Sequence, residues 1–331
     1  MKRRNFNKTA GLTAFSIMTG LGLGCKNTAA ENVTKQALEA ATTSKKPFFK
    51  LSLAQWSLHK AIHEKRMDPF DFATKAKSLG FQGLEYVSHL YSDHYKSATT
   101  TLAGIKSMTD KLLVESKAAG MENLIVMIDG EGDLGIQNKT ERLKGVDNHK
   151  KWVDAAATLG CHSIRVNLFG DGTIEEQIES SADSMRLLAE YAKDQNVSIL
   201  VENHGGQSSD PHWVKKVMEL VNMPNAGTLP DFGNFCIARE GGERWGAPCI
   251  NEYPDIYEAV QLMMPYAKAV SAKSYAFDDN GDETKIDYYK MLKVVKEAGY
   301  TGYIGVEFEG DIDEEAGIIA TRDLLLKAGS I

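Results

Sequence analysis

Three acidic residues stand where chemistry would use them. Glu202 closes the run Ile199-Leu200-Val201 and is followed by Asn203-His204-Gly205-Gly206. Asp231 follows Gly227-Thr228-Leu229-Pro230 and precedes Phe232-Gly233-Asn234. Glu307 follows Gly302-Tyr303-Ile304-Gly305-Val306 and precedes Phe308-Glu309-Gly310. Each comes directly after a short run of the buried-strand type. Carboxylates that converge repel one another, so a cluster is stable when a cation or shared protons compensate. Oxygen donors in open geometry suit Mg or Mn, and an added imidazole moves the preference toward Zn, Co or Mn. Lys273 and His204 are the further candidates for catalysis, and Glu85, His59, Arg165 and Asn234 for holding a substrate.

The elements that must position these groups are short β-branched or apolar runs alternating with longer helical patterns. The strands are expected at 49–54, 83–86, 123–127, 163–166, 198–201, 226–229, 269–272 and 303–306. Helical patterns lie at 69–79, 150–159, 175–192, 212–221, 256–267 and 288–298, with Gly80 and Gly299 as stops. Alternation of this kind gives a parallel sheet, and eight units in this length favour closure into a (β/α)8 TIM barrel. Active sites of such barrels sit at the C-terminal rim, where the residues named above fall, together with Gln55, His89, Asp129, Asn167 and Glu309. So many polar groups at apolar strand ends imply a shared wet pocket. The segment 237–254 is long for a strand-to-helix connection and reads as a lid or an oligomer contact. Trp56, Tyr86, Trp213 and Trp245 offer stacking faces or pack the core.

Taken together, Glu-Asn-His-Gly at 202–205, Asp-x-Gly-Asn at 231–234, Ala-Lys-Ser-Tyr at 272–275 and Gly-Tyr-x-Gly-Val-Glu-x-Glu-Gly at 302–310 are similar to one known group. They resemble the sugar phosphate isomerase/epimerase branch of the xylose isomerase-like TIM barrels, over about residues 48–330. The resemblance implies a divalent metal held by Glu202, Asp231 and Glu307, with Glu202 and Glu307 also exchanging protons with a sugar carbon. The fourth ligand of that group is a His, and Ser271 occupies its place here; Asn234 stands where a second His is usual. Three outcomes stay open: fewer protein ligands and more water, a shell completed by His204 or another His, or loss of the metal. The activity implied is metal-assisted proton abstraction beside the carbonyl of a small carbohydrate, giving isomerisation or epimerisation. The alternatives are β-elimination of the aglycone from a 3-keto-glycoside, or a carbohydrate-binding lipoprotein with a degenerate site. Lys273 is expected either to stabilise an enolate or to pair with Glu307 or Glu309, and His204 to act as ligand, base or hydrogen-bond partner.

The N-terminus belongs to another function. Lys2, Arg3, Arg4 and Lys8 precede the apolar, charge-free stretch 10–24, too short to span a bilayer, so residues 1–25 read as a twin-arginine-type export signal. Leu21-Gly22-Leu23-Gly24-Cys25 resembles a lipobox with Cys25 lipidated, which would be the chain's membrane contact. Residues 26–46 read as a flexible tether, and 47–331 as the barrel. The reading is therefore a periplasmic or membrane-anchored bacterial lipoprotein, with a homo-oligomer left open. Loss of the four basic residues of the signal takes the formal charge from −7 to −11. An acidic body excludes nucleic acid as an expected partner. Cys236 and Cys249 could pair in an oxidising compartment, but buried free thiols are the reading preferred for them and for Cys161.

Overall fold

The structure is a computed structural model that describes residues 46–330. The export signal expected at 1–25, with Cys25, and the tether expected at 26–46, up to residue 45, lie outside the described residues. Ten strands follow in chain order: β1 Lys50–Ala54, β2 Gly83–Val87, β3 Glu122–Met127, β4 Ser163–Val166, β5 Ser198–Glu202, β6 Ala226–Leu229, β7 Cys236–Arg239, β8 Cys249–Glu252, β9 Val270–Ser274 and β10 Tyr303–Phe308. Eight of them form one parallel sheet in the order β6-β5-β4-β3-β2-β1-β10-β9. Its ends meet through parallel bridges between Thr228 and Ala267 and between Asp231 and Ser271. Ser271 N–H donates to Pro230 O at 2.9 Å, and Phe232 N–H donates to Ser271 O at 3.1 Å. The barrel is thus closed at two residues of the site.

All eight expected strands are present, because a strand buried on both faces must read as a near-continuous apolar run. Their interior faces also carry Ser52, Glu85, Ser163, Arg165 and Ser271, all buried. Helices surround the sheet, and Gly80 and Gly299 take φ of +88° and +76° at the expected helix stops. Two long helices, Thr101–Ala119 and Glu314–Gly329, and the short helices His59–His63 and Ser92–Lys96 fall outside the expected patterns, and the helix expected at 150–159 begins at Lys139. No described helix is long and apolar enough to cross a membrane.

The long connection after β6 is the hairpin β7–β8, an antiparallel pair in which Cys236 faces Glu252 and Arg239 faces Cys249. This corrects the expectation for its cysteines. Cys236 and Cys249 are joined as a disulfide, with Cα atoms 5.9 Å apart. Antiparallel pairing brings two residues 13 apart in sequence within bridging reach, while half-burial and exposure deny them the apolar surroundings of a resting thiol. Cys161 is the buried free thiol expected.

Candidate active site

A cavity of about 700 Å3 opens over the C-terminal ends of the strands. Glu307, Glu309, Arg165, Asn167, Asp129 and His204 line its barrel side; Arg239, Arg244 and Trp245 line the side formed by the hairpin.

Beneath this cavity the three carboxylates converge. Glu202 ends β5, Asp231 follows β6 and Glu307 lies in β10, and their ligand atoms fall within 4.8 Å of one another. The turn after β6 is fixed by Asp231, whose Oδ1 accepts from the N–H groups of Gly233 (2.8 Å) and Asn234 (2.9 Å). Asn203 ties that turn to β5: its side chain donates to Asp231 O at 2.9 Å and accepts from Asp231 N–H at 2.7 Å. Ser271 Oγ lies 2.7 Å from Asp231 Oδ2 and 3.0 Å from Glu307 Oε2. A hydroxyl has one proton and cannot donate to both carboxylates at once. Glu202 Oε2 is buried without a hydrogen-bond partner, although Arg165 Nε is 2.8 Å away in a poorly aligned ion pair. Oxygen atoms left short of donors in this way fit a hard divalent cation or shared protons.

Electrostatics agree with that deficit. Burial pushes Asp231 up to about 7, with Lys273 opposing and Glu307 adding to the rise. Burial likewise holds Glu202 well above the usual carboxylate range against the pull of Arg165. Lys273 is the counterweight. Its buried Nζ lies 2.8 Å from Glu307 Oε1 and 3.1 Å from Glu309 Oε2. Burial would lower its pKa, but Glu307, Glu309 and Asp231 outweigh burial and raise it well above its ordinary value. Glu309 also accepts from Trp56 Nε1, and Lys273 holds its pKa down against burial.

A second network runs along the wall of the cavity. Arg165 Nη1 donates to Asp129 Oδ1 (2.9 Å) and to Asn167 Oδ1 (3.2 Å). Burial would raise Asp129, but Arg165 and His89 hold it well below the usual range. His204 Nδ1 lies 2.8 Å from Asn167 Oδ1 and 4.0 Å from Glu202 Oε2. Burial, reinforced by Arg165, lowers His204 to about 3, so the imidazole is neutral. Among the described residues no imidazole joins the convergent group, which is all carboxylate.

The remaining expected site residues fall in three places. Asn234 lines the cavity and its amide is 3.4 Å from Glu202 Oε1. Glu85 lies inside the barrel, accepting from Ser52 Oγ at 2.6 Å, against Gly305, where any Cβ would meet its carboxylate at 2.5 Å. It does not line the cavity. His59 stacks on Trp56 with centroids 4.1 Å apart and bonds its Nδ1 to Trp56 O. Of the four aromatics singled out, Trp56 and Trp245 reach the cavity, whereas Tyr86 and Trp213 are core. Reading the residues alone missed Phe169 and the pairing of Arg244 with Asp133. Those partners lie 111 residues apart and no local pattern links them.

Residues 73–328 match the model of the xylose isomerase-like TIM barrel. A 3-keto-D-glucoside 4-epimerase from E. coli is 13% identical, with a TM-score of 0.59 over 78% of this chain and 94% of that one. The IolI protein with a bound zinc atom is also 13% identical, with a TM-score of 0.61 over 85% of this chain and 98% of that one. At such identities these likenesses show the fold alone. The alpha subunit of a 3'-dehydrocarminate deglycosidase from Microbacterium sp is 37% identical over 60 residues, which are 18% of this chain and 16% of that protein. The chain belongs to the xylose isomerase-like TIM barrel family.

Proposed function

We propose that the protein removes a proton from a carbon beside the carbonyl of a carbohydrate, at a divalent-metal site formed by Glu202, Asp231 and Glu307. The observation that carries the reading is the convergence of three buried carboxylates beneath a cavity of about 700 Å3, with a buried lysine bridging two neighbouring acids. A divalent cation there would polarise the carbonyl and lower the cost of the enediolate.

The chain's own groups divide the rest of the chemistry. Glu307 lines the cavity, whereas Glu202 and Asp231 do not, so Glu307 is the carboxylate that takes the proton. Lys273 lies behind it, held charged, and offsets from there the negative charge that Glu307 and Glu309 bring to the cavity floor. Asn167 engages His204 Nδ1, which leaves Nε2 for a substrate hydroxyl. Arg165 keeps Glu202 and the Asp129–Asn167 network in place. Return of the proton to the other face or the other carbon completes an epimerisation or isomerisation.

A second reading uses the same first step. In a 3-keto-glycoside, the electrons of the broken C–H bond form a C=C bond and the neighbouring aglycone leaves with its C–O pair. The size of the cavity and the short match to a deglycosidase subunit favour this lyase reading. Export and a lipid anchor at Cys25 complete the proposal, supported by the Cys236–Cys249 disulfide, which persists in oxidising compartments.

The test is deuterium incorporation from solvent into free ketoses and 3-keto-glycosides, with Mn, Co, Mg or Zn supplied. Exchange with the substrate intact supports the isomerase, and release of the aglycone supports the lyase. Glu307→Gln should lower the rate by about 10²–10⁴-fold, the range for removing a general base. No exchange on any substrate, or exchange untouched by Glu307→Gln, sinks the proposal.

A further inference from the structure

The cavity is larger than the carboxylate cluster needs. At about 700 Å3 it has the capacity of a pocket for a drug-sized ligand, and one sugar ring above Glu307 leaves part of it unfilled. The remaining part has aromatic walls under the β7–β8 connection. Trp245 meets Phe169 edge to face, with centroids 5.5 Å apart, and lies 4.6 Å from the His204 ring. Gly205 and Gly206 lie directly under these rings: a Cβ at Gly205 would stand 3.4 Å from Trp245, and one at Gly206 3.7 Å from Phe169, both ordinary contact distances.

This wall is a built structure. The Cys236–Cys249 bridge closes its base. At its tip the Arg244 guanidinium donates twice to Asp133, at 3.0 and 2.9 Å, and lies 4.0 Å over the Phe169 ring. Trp245 nevertheless keeps 47% of its surface exposed. A large ring held in place from several sides, with its surface half open to a cavity, has the form of a stacking platform. Its position is also specific. The His204 ring stands between Trp245 and Glu202, so the platform is one imidazole away from the carboxylates.

We infer that Trp245, with Phe169 behind it, forms an aryl subsite, and that the substrate is a glycoside whose flat aromatic aglycone stacks there while its sugar ring lies over Glu307. The inference rests on the carbohydrate reading of the site and adds the class of the group attached to the sugar. Trp245 is a binding residue in this account and touches none of the reacting atoms.

The test is a calorimetric binding comparison of 4-nitrophenyl β-D-glucoside, methyl β-D-glucoside and 4-nitrophenol. The two glucosides have no ring carbonyl, so turnover does not intrude. The aryl glucoside should bind about tenfold more tightly than the methyl glucoside, as one aromatic stacking contact with its apolar burial would give. Trp245→Ala should abolish that preference while leaving methyl glucoside binding unchanged, and Trp245→Phe should retain most of it. Circular dichroism of both variants shows that the barrel is intact. Equal affinity of the two glucosides for the wild-type protein overturns the aryl subsite and leaves the carbohydrate reading standing. Trp245-dependent binding of 4-nitrophenol with neither glucoside bound supports the subsite and counts against the carbohydrate reading. Binding of none of the three overturns the subsite.

Discussion

The two walls of the cavity are held by different means. On and behind the barrel wall, Glu202, Asp231, Lys273 and Glu307 are buried and belong to β5, β9 and β10 or the turn after β6, with side chains fixed by register and by one another. On the hairpin wall, β8 is wholly exposed, and what holds it is a disulfide at the base and an arginine–carboxylate pair at the tip. The first arrangement suits chemistry, where a misplaced charge in a low-dielectric site is costly. The second suits recognition, because its cross-links fix the wall while its surface residues are free of the core.

That contrast predicts unequal responses to damage. The largest effect is expected at Lys273. Lys273→Met leaves Glu307 and Glu309 without their shared cation, and breaking a buried pair this way costs about 3–5 kcal/mol. Chemical denaturation of the variant at neutral pH should show that loss; an unchanged midpoint would mean that the barrel wall is less rigidly coupled than the geometry implies.

A smaller effect tests the charge stored inside the barrel. Burial, with Glu307 adding to it, pushes Glu85 from an ordinary 4.5 up to about 7, against the opposing bond from Ser52. The unfolded chain ionises near 4.5 and the folded chain near 7, so the folded state binds more protons between those values. Stability should therefore fall as pH rises through that window, by about 3 kcal/mol for this one group. Glu85→Gln should flatten the slope in a series of denaturation curves from pH 4 to 8. A slope identical to that of the wild type would contradict the burial account.

The smallest effect on the whole molecule is expected on the hairpin wall. Replacing Cys236 and Cys249 by Ser opens a 13-residue span, for which chain entropy assigns about 3 kcal/mol. Because β7 and β8 stand apart from the barrel sheet, that cost should fall on local opening. Hydrogen exchange should rise within 237–248 while the barrel's unfolding midpoint barely moves. A large drop in the midpoint would show that the hairpin is part of the barrel's cooperative unit.

The same division governs what could be read from the residues. All eight barrel strands and the three carboxylates were legible, because buried parallel strands are continuous apolar runs and a polar residue ending one is conspicuous. The helices Thr101–Ala119 and Glu314–Gly329 were not, since their buried faces include Thr109 and Ser116 in one and Glu314 and Thr321 in the other. Thr109, Ser116 and Thr321 satisfy their hydroxyls on the preceding helical turn, so polar letters occupy core positions and break the apolar stripe. The hairpin was invisible for a further reason: two four-residue strands in an exposed loop carry no alternation to detect. Ser271 is the subtlest case. It reads as a missing ligand in the sequence, whereas in the fold its hydroxyl stands between Asp231 and Glu307.

In the proposed mechanism Glu202, Asp231 and Glu307 form a divalent-cation site without a histidine. Titration of the purified protein with Mn, followed by electron paramagnetic resonance of the free ion, tests it most directly. One bound Mn per chain is expected, lost in Asp231→Asn and retained in His204→Gln. Absence of Mn binding to the wild-type protein, or binding that survives Asp231→Asn and disappears in His204→Gln, would contradict it.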